Sequence, residues 1–102
     1  MVAYLIAGND VTNPEMMQEY AKVAGPTLAP YEAKLLAPTP DKLETGGTID
    51  HMEGDFRPKR VVLIEFPDME RAKAWYNSAE YQAIINLRLE SSVGSLMFVE
   101  GV

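Results

Sequence analysis

A chain of 102 residues with 47% hydrophobic and 24% charged content has the size and make-up of one globular domain, large enough to hold a core without disulfide or metal staples. It has no cysteine, which excludes a disulfide framework and any thiolate metal site. Nine basic against fifteen acidic residues leave a net charge of -6, which argues against nucleic acid as a partner, because phosphate binding needs clustered Lys and Arg.

The opening run from Met1 to Ala7 has no basic segment before it and is interrupted at Asn9-Asp10. It is too short for a signal peptide or a membrane span, so a cytoplasmic protein without a membrane partner is expected. Val2 to Ala7 reads as a strand that ends at Gly8-Asn9-Asp10. Both of its faces are apolar, Val2, Tyr4 and Ile6 on one, Ala3, Leu5 and Ala7 on the other, so it needs cover on two sides. Thr12-Asn13-Pro14-Glu15 starts a helix, either with Asn13 as cap and Pro14 first, or through a Thr12–Glu15 capping box. Met16, Tyr20 and Val23 form its stripe, with Met17, Ala21 and Ala24 beside it. Gly25-Pro26 is expected to interrupt this helix, and Thr27 to Tyr31 to add a further turn.

Ala33 to Ala37 reads as a short second strand, and Pro38 to Asp50, with two prolines and Gly46-Gly47, as a loop or irregular hairpin. His51-Met52-Glu53 is expected as a short strand before a turn at Gly54-Asp55. Arg60 to Phe66 is the clearest strand, with Val61, Leu63 and Glu65 facing one way and Val62, Ile64 and Phe66 the other. Asp68 caps a helix carrying Met69, Ala72, Trp75 and Tyr76, with Glu70 in its first turn. Ser78 recaps a segment from Ala79 to about Glu90 through Tyr81, Ile84, Ile85 and Arg88. Gly94 then ends a turn, and Ser95 to Glu100 is the last strand. The order strand, helix, strand, strand, helix, strand gives an α+β class and a ferredoxin-like split βαβ plan, an antiparallel sheet with both helices on one face. The apolar residues of the first and third strands on the other face exceed what a soluble monomer tolerates. A homodimer packed sheet to sheet about a two-fold axis is therefore expected.

From Glu53 to Leu89 the chain strings together an acidic-Gly-Asp turn at Glu53-Gly54-Asp55, then Ile64-Glu65-Phe66-Pro67, then Trp75-Tyr76-Asn77-Ser78-Ala79-Glu80-Tyr81 and Arg88. With the apolar first strand, Val11 to Glu15 and Tyr20, this pattern resembles the bacterial family known as domain of unknown function 1330. The resemblance implies a ferredoxin-like subunit that pairs as a dimeric α+β barrel. Relatives of that barrel include cofactor-independent monooxygenases, chlorite-dismutase-like haem proteins and muconolactone-isomerase-like enzymes, while the family itself has no assigned activity. The Pro38 to Asp50 segment departs from the pattern by being longer than the usual connection. Fold transfers on such a likeness and function does not.

Among residues able to carry chemistry, Glu65 stands out: if the face it shares with Val61 and Leu63 points into the barrel between subunits, it is a carboxylate in partly apolar surroundings, where desolvation would suit it for acid or base work. Its structural alternative is an ion pair with Arg60 or Arg88. Trp75 and Tyr76 lie about 100° apart on their helix, so they cannot face the same way, and Tyr76 or Tyr81 is placed to orient a ligand. Tyr20 sits on a stripe that reaches the same region. Arg88 on the Tyr81-Ile84-Ile85 face needs an anionic partner, Glu65 or an acidic ligand. Arg57 in the Asp55-Phe56-Arg57-Pro58 loop is a second candidate anion clamp, with simple surface exposure as the alternative. His51 is the single histidine, too few for a protein-only zinc site but enough for one axial haem ligand. No phosphate loop, dinucleotide fingerprint or Gly-x-Ser-x-Gly elbow occurs, and no metal or cofactor is expected. Three functions stay open: a cofactor-independent enzyme acting on an aromatic or carboxylated metabolite near Glu65, Tyr20, Tyr76 and Arg88, a small-molecule-binding or stress-related homodimer, and a purely structural dimer.

Overall fold

The sheet is built around β1, Ala3–Val11, in the computed structural model, which describes residues 1–37 and 49–102. Gly8, Asn9 and Asp10 do not end this strand, as their turn chemistry suggests. They pair with Ser95, Gly94 and Val93 of β4, Ser92–Glu100, while Gly8 and Asn9 also pair with Val61 and Arg60 of β3, Arg60–Phe66. Asn9 Nδ2 donates to Ser92 Oγ at 3.1 Å, and Asp10 Oδ1 accepts from the Lys59 backbone N–H at 2.8 Å. Tertiary partners on both sides outweigh a local turn preference. With β2, Lys34–Ala37, the sheet has the order β2-β3-β1-β4 and is antiparallel throughout, the ferredoxin-like arrangement.

α1, Pro14–Leu28, begins as its sequence dictates, with Asn13 Oδ1 accepting from the Met16 N–H at 3.2 Å and Pro14 in the first turn. It is not interrupted at Gly25-Pro26. The residue before a proline is normally driven from helical geometry partly by its own Cβ, and Gly25 has none. Pro26 also lies in the final turn, where the lost donor costs one bond to the exposed Lys22. A 3₁₀ turn, Ala29–Tyr31, follows as expected and closes on Glu32, whose φ of 56° is left-handed and whose N–H donates to the Ala29 carbonyl at 3.1 Å. The Glu32 carboxylate takes Arg71 at 2.6 Å.

α2, Met69–Tyr76, is capped by Asp68, which accepts from the Arg71 N–H at 2.7 Å. The segment after Ser78 is two helices rather than one, α3 at Ala79–Gln82 and α4 at Ile85–Ser91. Three-residue bonds on either side of the break, Ile84 N–H to Tyr81 O and Leu87 N–H to Ile84 O, both 3.0 Å, keep backbone groups satisfied through the bend. α4 runs straight into β4, so Gly94 is a strand residue and not a turn. A Cβ there would lie 2.2 Å from the Gly8 carbonyl oxygen, so glycine is required by the close approach of β4 to β1. His51-Met52-Glu53 forms no strand: no ladder among the described residues reaches it, and its loop is fastened by the Arg57 guanidinium donating to the carbonyls of Gly54 and His51. The expected loop or hairpin over Pro38 to Asp50 lies, except for Ile49 and Asp50, outside the described residues.

The inner face of the sheet presents Ala3, Leu5 and Ala7 of β1 with Ile64 and Phe66 of β3 to Met17, Tyr20, Ala24, Ala72, Trp75, Tyr81 and Ile85 of the helices. Trp75 and Tyr81 stack with ring centroids 4.1 Å apart, and Phe66 meets Trp75 at 5.8 Å. Each fully buried side chain of this size stabilises the fold by about 1.5–3 kcal/mol. The outer face carries Tyr4, Ile6, Val61 and Leu63, partly exposed, beside Met97 and Val99, which are 48% and 43% exposed. Among the described residues no helix is long and apolar enough to cross a membrane.

Candidate functional site

A cavity of about 280 Å³ opens between the inner face of the sheet and α1. It exists because the sequence places small residues where α1 crosses the sheet: Ala21, Ala24 and Gly25, followed by Ala29 and Ala33, leave room that larger side chains would fill. Leu5, Ala7, Val62, Ile64 and Leu28 supply apolar walls, and Trp75 adds an aromatic one. The Trp75 indole N–H is satisfied by Thr27 Oγ1 at 2.9 Å, and that hydroxyl donates to the Ala24 carbonyl at 2.6 Å. The polar groups gather where β1 leaves its apolar stretch, at Asn9, Tyr20, Arg60 and Arg88.

These four belong to one network. Tyr20 Oη and Tyr81 Oη are hydrogen-bonded at 2.9 Å, and Arg88 Nε donates to Tyr81 Oη at 3.2 Å. Arg60 donates to Asn9 Oδ1 at 3.4 Å, Asn9 donates to Ser92 Oγ, and Ser92 Oγ donates to the Arg88 carbonyl at 2.9 Å. Burial holds the Tyr20 phenol well above its ordinary pKa, with Tyr81 pushing the same way and Arg88 and Arg60 opposing. Burial likewise lowers that of the Arg60 guanidinium, with Tyr20 opposing and the like charge of Arg88 adding to the shift. The Arg60 Nε is buried with no hydrogen-bond partner, and neither arginine pairs with a carboxylate among the described residues.

Of the residues singled out in the sequence, Tyr20 and Arg88 line the cavity, and Tyr81 lies fully buried directly behind them. Tyr76 does not line it. That ring packs against Tyr81 at 5.8 Å and Phe98 at 6.1 Å, as helix periodicity requires once Trp75 turns inward. Glu65 stands apart from the cavity and pairs with neither Arg60 nor Arg88. It lies five positions along the strand from Arg60, an odd offset, so the pleat sends it to the outer face, in register with Tyr4 and Lys34. Arg57 is exposed and bonded within its own loop, and His51 sits in the same loop, away from the cavity. Asn9 and Arg60 are the site residues that sequence reasoning missed. Strand alternation was the available signal, since Asn9 continues Ala3-Leu5-Ala7 and Arg60 begins Val62-Ile64-Phe66.

Solved structures share this fold. A protein of unknown function from Rhodopseudomonas palustris, RPA0582, superposes with a TM-score of 0.74 at 13% identity, covering 99% of this chain and 82% of its own. SnoaB, a cofactor-independent oxygenase from Streptomyces nogalater, gives 0.62 at 6% identity, covering 99% and 93%. A conserved protein from Methanosarcina mazei Go1 gives 0.56 at 17% identity, covering 100% and 94%. No curated protein matches the sequence. The family model described as domain of unknown function (DUF1330) matches residues 2–102, so this ferredoxin-like α+β chain belongs to that family.

Proposed function

We propose that the protein is a cofactor-independent enzyme that holds a small ring compound in the cavity between its sheet and α1, and that it works as a homodimer. The observation that carries this is the cavity itself, apolar and aromatic on most sides, with Tyr20 and Arg88 at one end. Such a combination, apolar walls with a few convergent polar groups, is the usual make-up of a small-molecule site. The size fits, since an apolar cavity of roughly 150 Å³ accepts benzene, so about 280 Å³ suits one ring with an arm or two fused rings. The shared fold of SnoaB supports oxygenation as the reaction class. An ionised enol or phenol is electron-rich enough to react with dioxygen without a metal, and cationic groups at the polar end would stabilise that ionised form. The cysteine-free composition supports a cytoplasmic setting.

One observation favours a second reading, binding without turnover. The described lining residues include no carboxylate, imidazole or thiol, so none offers an obvious base.

Dioxygen uptake by chelator-treated protein, screened across phenolic and enolisable one- and two-ring compounds, separates the two. Ala24→Phe supplies the control, because the new ring would project into the cavity from a buried helix position. The enzyme reading expects uptake that survives chelation and disappears in the folded Ala24→Phe variant. Uptake unchanged by Ala24→Phe would move the chemistry elsewhere. Ligand retention without any uptake would leave a binding protein.

A further inference from the structure

The polar end of the cavity is made of donors. A guanidinium has no acceptor. Arg60 gives one N–H to Asn9 Oδ1, while its buried Nε–H meets no acceptor among the described residues. Arg88 commits its Nε–H to Tyr81 Oη. The Tyr20 and Tyr81 hydroxyls hold two hydrogens and share one bond, so one hydrogen is left over. With Tyr81 accepting from Arg88 and donating to Tyr20, the surplus hydrogen belongs to Tyr20, which lines the cavity where Tyr81 does not. The nearby side-chain acceptors are already engaged, Asn9 Oδ1 by Arg60 and Ser92 Oγ by Asn9. Two guanidinium groups and a hydroxyl hydrogen thus face an apolar space. Placing like charges there is costly unless a negative acceptor meets them. The chain as a whole carries a net charge of -6, so any attraction for an anion is local to this cavity.

Resting on the cavity as a ring-compound site, we propose that its ligand is an organic anion. A carboxylate, or an ionised enol or phenol oxygen, sits among Arg60, Arg88 and Tyr20 Oη, with the ring directed toward Leu5, Ala24 and Leu28. The acid group therefore fixes which end of the ligand is buried at the network and which lies along α1.

Calorimetric titration of the full chain with 2-naphthoate and with its neutral amide, 2-naphthamide, tests this at neutral pH. The Trp75 indole N–H, followed by NMR, reports whether each probe enters the cavity. The acid should bind at least about tenfold tighter than the amide, as charge-assisted hydrogen bonds exceed neutral ones. Arg60→Met and Arg88→Met should each shrink that preference, weakening the acid several-fold more than the amide, because the amide carbonyl accepts a hydrogen bond but draws less on charge. A parallel titration with 2-naphthol, in buffers of different ionisation heat, reads proton release and shows whether a carboxylate or an ionised hydroxyl is the better head group. If acid and amide both move Trp75 and bind equally, the anion assignment is overturned and the ring site stands. If no probe moves Trp75, the ring-site reading fails and the anion assignment falls with it.

Discussion

Tyr20 ties the stability of the fold to the chemistry of the cavity. Its phenol is buried, and burial, followed by the neighbouring Tyr81, holds its pKa above the ordinary value near 10. The unfolded chain therefore loses this proton first as pH rises. The stabilisation is fully present below the unfolded value and is lost as pH climbs from there toward the higher folded value. Above about pH 10 this one residue should make the unfolding free energy fall by up to roughly 1.4 kcal/mol per pH unit. Tyr20→Phe should remove that component, while costing about 1 kcal/mol at neutral pH through the lost bond to Tyr81. Urea unfolding of both proteins across about pH 9 to 11 measures it, and equal slopes would show that the phenol ionises alike in both states. Helix spacing was enough to find Tyr20, Tyr81 and Arg88, because a periodic stripe names its own members. It could not find Asn9, whose amide type argues for a turn until a second strand is seen to pair with it. Nor could it show that Glu65 lies apart from the cavity, since nothing local says which face of β3 the helices cover.

At the scale of elements, the strands outrun their sequence signals wherever a neighbouring strand supplies what the local residues lack. Gly94 shows this most sharply. Read alone it is a turn, yet in the sheet it is the residue opposite Asn9 that permits β4 to lie against β1. A methyl group there would meet the Gly8 carbonyl oxygen at 2.2 Å and the Asn9 Cα at 2.6 Å, and backbone atoms cannot swing aside as a flexible side chain can. Gly94→Ala should therefore cost on the order of 2–4 kcal/mol, at the upper end of overpacking effects. Because Asn9 holds both Arg60 and Ser92, the same shift should weaken 2-naphthoate binding by more than the bulk stability loss explains. Denaturant midpoints and titration of the same variant check both halves; a variant with wild-type stability would mean that the two strands part without penalty. The helices tell the opposite story. Asn13, Asp68 and Ser78 cap where their chemistry says they should, since a cap is satisfied within three residues and needs no distant partner. The Gly25-Pro26 pair misleads because Gly25 lacks the Cβ that would clash with the proline ring and Pro26 falls in the last turn of α1.

For the whole molecule, the proposed homodimer rests on the uncovered side of the sheet. Tyr4, Ile6, Val61, Leu63, Met97 and Val99 form an apolar surface on the side away from the helices and away from the cavity. A second copy is the proposed cover, since a two-fold axis brings the same apolar patch onto itself and leaves each cavity within its own protomer. Glu65 and Lys34, opposite one another across β2 and β3, would then border the joint with compensating charge. A standard pairing of this kind hides roughly 800 Å² per partner, so two charges placed at its centre should be enough to break it. Leu63→Lys with Met97→Lys is predicted to convert a dimer into a monomer of 11.3 kDa that keeps its far-ultraviolet circular dichroism, because neither side chain enters the helix-side core. Light scattering on eluting protein at tens of micromolar reads the mass directly. A wild-type monomer would remove the barrel and leave the cavity as the property of a single chain. A variant that stays dimeric would place the contact on another surface, and the exposed Leu89 and Val23 on the helices would be the next to test.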